Sequence, residues 1–137
     1  MDEFQISNNF ATGFAGRAIF MFAMLFLLWM MFRANTLAHE RGSHLFQKIL
    51  GTAISGSVLL FNLTAWNHFP AFFNNWAYSL SQLDSLSVGG QRFVDNMGAT
   101  GFIDAGLIPS DPVSMVFWLG ITIALFLGIW TAPQPKE

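Results

Sequence analysis

Three histidines, one arginine set against an apolar run, and scattered serines and aspartates are the side chains of this chain that could do chemistry. His39 and His44 lie close together with Glu40 between them, and His68 stands far along the sequence. From His44 to His68 is roughly 36 Å if the intervening chain is helical, so the two cannot share a metal or sandwich a haem within one subunit. His39, Glu40 and His44 could approach one another, but their spacing is not HExxH, and a solvated turn is the reading adopted. His68 could ligate a haem iron only with a partner from another chain. No serine sits in a G-x-S-x-G elbow. Gly89-Gly90 is too short for a phosphate cradle. No carboxylates pair inside the apolar runs, so a proton relay through this chain alone is not expected. The absence of cysteine removes disulfides, thiol catalysis and cysteine-ligated metals. These residues predict no enzyme, no metal site and no cofactor held by this chain.

The elements around them are apolar and long. Ala18–Phe32 reads AIFMFAMLFLLWMMF without a charge. A basic stretch, RANTLAHERGSHLFQK, follows from Arg33 to Lys48, and a second uncharged run extends from Ile49 to Asn67. A helix of about 20 apolar residues crosses the ~30 Å hydrocarbon core. The pattern predicts a first span at about 14–32, with a cap near Ser7–Asn9, and a second at about 45–66. Ser110-Asp111-Pro112 is a helix start, with Ser110 or Asp111 as cap and Pro112 at the first position. It opens a third span at about 112–130, closed by Pro133 and Pro135. The acidic start MDEFQ and the length of the first run predict a retained span rather than a cleaved signal peptide.

Composition agrees. Of 137 residues, 10% are charged and 53% hydrophobic, with sixteen Phe and five Trp; mean hydropathy is +0.48. Soluble domains carry about 25% charge, and a chain this poor in it could hardly cover its own surface with polar groups. The net charge of −2 gives no reason to expect nucleic-acid binding. The fold class is therefore all-α membrane protein, a single integral membrane domain over residues 1–137.

The charges orient it. Arg33, Arg41 and Lys48 cluster between spans one and two. The positive-inside rule puts that loop in the cytoplasm of a bacterial inner membrane, with the N-terminus outside and the C-terminus inside. Lys136 in the tail agrees. Residues 67–111 then form a long outer connection, carrying Asp84, Arg92, Asp95, Asp104 and Asp111. Within it Phe69, Phe72, Phe73, Trp76, Leu80 and Leu83 recur at three- and four-residue intervals. This predicts an amphipathic helix over 70–83 lying in the membrane interface, with docking on a protein partner as the alternative. A short helix is expected near Gln91–Asn96. Trp130 reads as an interfacial anchor. Arg17, at the edge of span one, snorkels to the headgroups or pairs with Asp104 or Asp111.

Small residues mark the surfaces for helix contact. Gly51 and Ser55 are four apart, as are Thr52 and Gly56; Gly120, Ala124 and Gly128 form a second stripe. Such faces let backbones approach closely, within one chain or between chains. Asn62 and Thr64 lie inside span two and must hydrogen-bond to a neighbour or to backbone; the sequon Asn62-Leu63-Thr64 is discounted for the same placement. The predicted partners are lipid and other membrane-protein subunits, and a homo-oligomer is compatible with the same faces.

The hairpin from Phe14 to Trp66, with its turn RANTLAHERGSHLFQK and its run GTAISGS, resembles the small inner-membrane proteins of conjugative transfer and type IV secretion systems. The resemblance is topological and covers about half the chain. It implies a non-catalytic structural part of a transfer apparatus; the third span and Trp66–Tyr78 lie outside it. Two other readings share the topology. One is an anchor subunit of a respiratory complex that helps hold haem or quinone. The other is a holin-like pore former, against which stand the sparse charge of the tail PQPKE and the long outer loop.

Overall fold

The computed structural model describes residues 1–135, which form four helices in the order α1 Glu3–Arg41, α2 Leu45–Ser81, α3 Val88–Met97 and α4 Pro112–Thr131. Three of them, α1, α2 and α4, are long and apolar enough to cross a membrane. Lys136 lies outside the described residues.

Helix α1 begins earlier than the expected cap. Asp2 accepts from the Gln5 amide at 2.8 Å while Gln5 Oε1 accepts from the Asp2 amide at 3.2 Å, a reciprocal capping box. The helix then runs 39 residues, about 58 Å, far more than a bilayer requires. Gly42 ends it at φ 82°, ψ 163°, a conformation open essentially to glycine alone. After a three-residue turn, His44 opens α2, its amide held by Gln47 Oε1 at 2.9 Å.

Helix α2 corrects the expectation for the outer connection. Residues 70–83 are not a separate helix lying in the interface: α2 continues through Pro70 to Ser81. Proline leaves the Trp66 carbonyl without its usual helical donor, which costs stability in isolation. Side-chain packing overrides that cost. Phe72 and Leu80 are buried and Phe73 and Trp76 half-buried. Phe10 of α1 stacks on Trp76 with ring centroids 5.9 Å apart and lies 5.2 Å from Phe72; Phe14 meets Phe69, Phe72 and Phe73. The apolar periodicity was that of a face turned to α1. The two helices thus form one antiparallel hairpin that extends well past the first residue of α4.

Helix α3 caps the far end of this hairpin. Phe93 packs on Trp76 at 4.8 Å, and Ser87, its N-cap, is held by Glu3. The expected short helix near Gln91–Asn96 lies within α3. Helix α4 starts as expected: Asp111 Oδ1 accepts from the Ser114 amide at 2.7 Å, with Pro112 in the first turn.

The three long helices meet at Leu28, Val58, Leu59, Trp118 and Leu125, each buried. Lipid is as apolar as leucine, so this core is held by close packing and interhelical hydrogen bonds rather than by escape from water. Asn62 supplies one such bond, donating to the carbonyls of Met24 at 3.0 Å and Val58 at 2.9 Å. Trp66 Nε1 donates to Ser114 Oγ at 3.1 Å. The Trp118 indole N–H is buried without a partner among the described residues, a local cost of about 1–3 kcal/mol. Large apolar side chains stay exposed on all three helices, including Phe22, Trp29, Phe46, Phe61, Val116 and Leu127. They are the surface a bilayer would cover.

Candidate functional site

Two polar constellations stand at the two ends of the three-helix core. At the turn end, α1 and α2 aim donors at the last turns of α4. Asn35 Nδ2 donates to the Leu125 carbonyl at 3.0 Å, and His39 Nε2 to that of Gly128 at 3.0 Å. A carbonyl only accepts, so His39 carries its proton on Nε2. Lys48 Nζ donates to the carbonyls of Trp130 at 3.3 Å and Ala132 at 2.5 Å. The last carbonyls of a helix lack helical partners and carry its negative partial charge, which an ammonium satisfies on both counts. Asn35 and His39 are four apart, hence on one face of α1. Just beyond, the Ser43 amide donates to the Pro133 carbonyl at 2.7 Å, and a Cβ on Gly42 would lie 2.5 Å from the Pro135 backbone. The tail is thereby packed against the hairpin turn.

This clamp absorbs two of the histidine-region candidates. His39 spends its ring nitrogen on the α4 backbone, and His44 is an exposed helix cap. Among the described residues, no group of three His, Asp or Glu side chains is placed to hold a metal ion.

At the opposite end, His68, Arg17 and Asp104 line one cavity of about 490 Å³ with Asn9, Phe72 and Asn75. The Arg17 guanidinium lies 4.6 Å from the centre of the Phe72 ring and donates to the Gly13 carbonyl at 3.3 Å. The pairing of Arg17 with Asp104 or Asp111 is not formed; no ion pair occurs among the described residues. His68 Nδ1 donates to the Thr64 carbonyl at 2.6 Å, which leaves Nε2 for the cavity. The outer wall is the segment after α3. Asn74 and Asn75 donate to the carbonyls of Gly101 at 2.8 Å and Ile103 at 3.0 Å, and Asn75 Oδ1 accepts from the Ile103 amide at 2.8 Å. Asn67 Nδ2 holds Gly106 at 2.9 Å.

The helix-packing residues divide. A Cβ on Gly51 would touch Ile129 at 3.9 Å and one on Gly56 would touch Phe126 at 3.9 Å, and Ser55 is buried, so this cluster faces α4. The second stripe does not act as one surface. Gly128 is pressed against Asn35, where a Cβ would stand 2.7 Å from Nδ2. Ala124 is exposed, and nothing lies within 4 Å of where Gly120 would carry a Cβ. Four-residue spacing rotates by 400° on a 3.6-residue helix, so the stripe winds off the packed face. Trp130 is half exposed at the end of α4.

The interhelical donors are only partly legible in the sequence. Asn62 is an amide inside an apolar run and advertises its need for a partner. Asn35, His39 and Lys48 sit in a stretch that reads as a polar turn but is helix up to Arg41 and again from Leu45. The i, i+4 spacing of Asn35 and His39 is the available signal. The chain matches no known protein family, and no characterised protein or solved structure matches it, so function must be argued from these two ends and from the exposed helix faces.

Proposed function

We propose that the protein is a structural, non-catalytic subunit of a larger inner-membrane assembly of the conjugative-transfer or type IV secretion kind. The observation that carries this reading is the face of α4 bearing Gly120 and Ala124. It is a small-residue surface inside a span, left open by α1 and α2. A gap of this shape admits another helix to backbone distance, which is the common use of glycine and alanine between spans. The clamp supports the same role: it fixes α4 on the hairpin and so presents that face in one orientation. The basic turn and the C-terminal tail share one end, and Glu3 and α3 the other, in keeping with an N-out, C-in topology across the bacterial inner membrane.

The test is affinity purification of the tagged full chain in a mild detergent, with identification of co-purifying membrane proteins. Stoichiometric partners that are lost on Gly120→Leu support the reading. A solitary monomer from native membranes overturns it.

A further inference from the structure

The cavity beneath Arg17 is the head of a longer groove. It adjoins a cleft of about 150 Å³ that shares Arg17 and His68 and adds Phe20. Phe20 in turn lines a third, apolar cleft of about 420 Å³ between α1 and α2, with Met24, Leu27, Ile54 and Phe61. One end of the groove is therefore charged and hydrogen-bonding, and the rest is hydrocarbon. From Ile54 to His68 is about 21 Å of helix, which exceeds the ~15 Å half-thickness of a bilayer core.

Its depth is fixed by neighbours. Asn67 bonds to Gly106 and Trp66 to Ser114, so His68 stands level with the start of α4, where that span leaves the hydrocarbon. Headgroups lie at this level. The charges there have both signs: a guanidinium on α1 and a carboxylate on the outer segment line one cavity without pairing to each other. A simple anion would satisfy Arg17 and be repelled by Asp104. A group carrying phosphate and ammonium a few ångströms apart satisfies both.

We propose that Arg17, His68 and Asp104 form a headgroup site for a zwitterionic phospholipid with a primary ammonium, whose acyl chain lies along the α1–α2 groove. Arg17 donates to the phosphate, Asp104 accepts from the ammonium, and His68 Nε2 faces the headgroup. Phe72 holds the guanidinium in place from behind.

The experiment is native mass spectrometry of the full chain, loaded in turn with phosphatidylethanolamine, phosphatidylcholine and phosphatidylglycerol of identical chains. Phosphatidylethanolamine is expected to be retained about tenfold over phosphatidylcholine, whose quaternary ammonium has no N–H to donate. Asp104→Asn is expected to abolish the preference over phosphatidylglycerol, and Arg17→Ala to lower retention of all three phospholipids about tenfold. Ile54→Trp, which fills the chain groove, is expected to reduce all three alike while leaving the helical circular dichroism unchanged. Asp104 is exposed, so its variant reports even where Arg17→Ala unfolds the hairpin. Equal retention of the three lipids, strongest retention of phosphatidylglycerol, or a second copy of the chain cross-linked through Ile54→Cys whatever lipid is present would each overturn the proposal.

Discussion

The Lys48 ammonium reaches the carbonyl oxygen of Ala132 at 2.5 Å and so joins the first turn of α2 to the residue that ends α4. Lys48 is buried there, and a buried ammonium is tolerated only where its donors are used. Lys48→Met keeps the stem and removes the charge. It is expected to destabilise the bundle by about 1.5–3 kcal/mol, the range for hydrogen bonds to charged groups. The midpoint of unfolding in mixed detergent measures this, and Lys48→Arg should recover part of the loss. An unchanged midpoint in Lys48→Met would show that the carbonyls of α4 are satisfied by water instead.

Gly42 gives a second handle on the same end. Its φ of 82° is open to glycine, and a side chain there would also meet the backbone of Gln134 and Pro135. Gly42→Ala should therefore cost about 1–3 kcal/mol and release the tail. Limited proteolysis after Ala132 would speed up in the variant if the tail is held as described, and would not change if it is already free.

Gly128 and Gly120 should respond in opposite directions. Alanine is favoured over glycine within a helix by about 0.5–1 kcal/mol. At Gly120 that gain is unopposed in the isolated chain, so Gly120→Ala should raise the unfolding midpoint. At Gly128 the new methyl displaces Asn35 from the Leu125 carbonyl and leaves a half-buried amide unpaired, at about 1–3 kcal/mol. Gly128→Ala should lower the midpoint. The same ranking in both variants would refute the Asn35 contact.

Much of this architecture was legible in the residues. Apolar length located the three long helices, and Asp111-Pro112 marked the start of α4. The hairpin's extent was not legible, for two physical reasons. Pro70 reads as a stop, yet the rings of Phe69, Phe72, Phe73 and Trp76 pay for helix continuity by packing on Phe10 and Phe14. The cap at Asp2 was hidden because Ser7 and Asn9 are equally good cap residues in isolation; the reciprocal partner Gln5 decided between them. At the candidate sites the charged side chains could be seen but not their pairing. Asp104 lines the same cavity as Arg17 only because Asn74 and Asn75 pin residues 101–103 on α2, and nothing local in the sequence announces that return.

Acid should detach α3 from α1. Glu3 accepts from the Ser87 hydroxyl and the Ser87 amide, both at 2.6 Å, and these bonds hold its carboxyl below the ordinary carboxylate value. A carboxylate with a depressed folded value contributes stability above its unfolded value and loses it as pH falls through the folded one. Asp111 is shifted the same way, first by the Ser114 amide, so α4 also loosens at its cap in acid. Hydrogen exchange resolves the two. Amides of residues 88–97 should lose protection below the ordinary carboxylate range in the native chain. In Glu3→Gln they should be less protected at neutral pH and no longer sensitive to acid. Acid sensitivity that persists in Glu3→Gln would assign the effect elsewhere.

The α3 end of the hairpin should fail separately from the three-helix core. Phe72 is the ring shared by Phe10, Phe14, Phe73 and the Arg17 guanidinium, and it is buried. This end of the hairpin lies past the start of α4, and its packing rests on these rings. Phe72→Ala should cost about 3–5 kcal/mol, enough to open residues 3–13 and 71–81 without disturbing Leu28, Val58 and Trp118. The expected result is rapid cleavage near Asn74–Ser81 by protease added from the Glu3 side, while the fragment containing α4 still co-migrates with the rest of α1 and α2. Phe61→Ala, on the exposed apolar belt, is the control and should leave both halves intact. Global unfolding of Phe72→Ala would mean that the two halves form one cooperative unit. The capping contacts of α3 would then bear on the stability of the spans themselves.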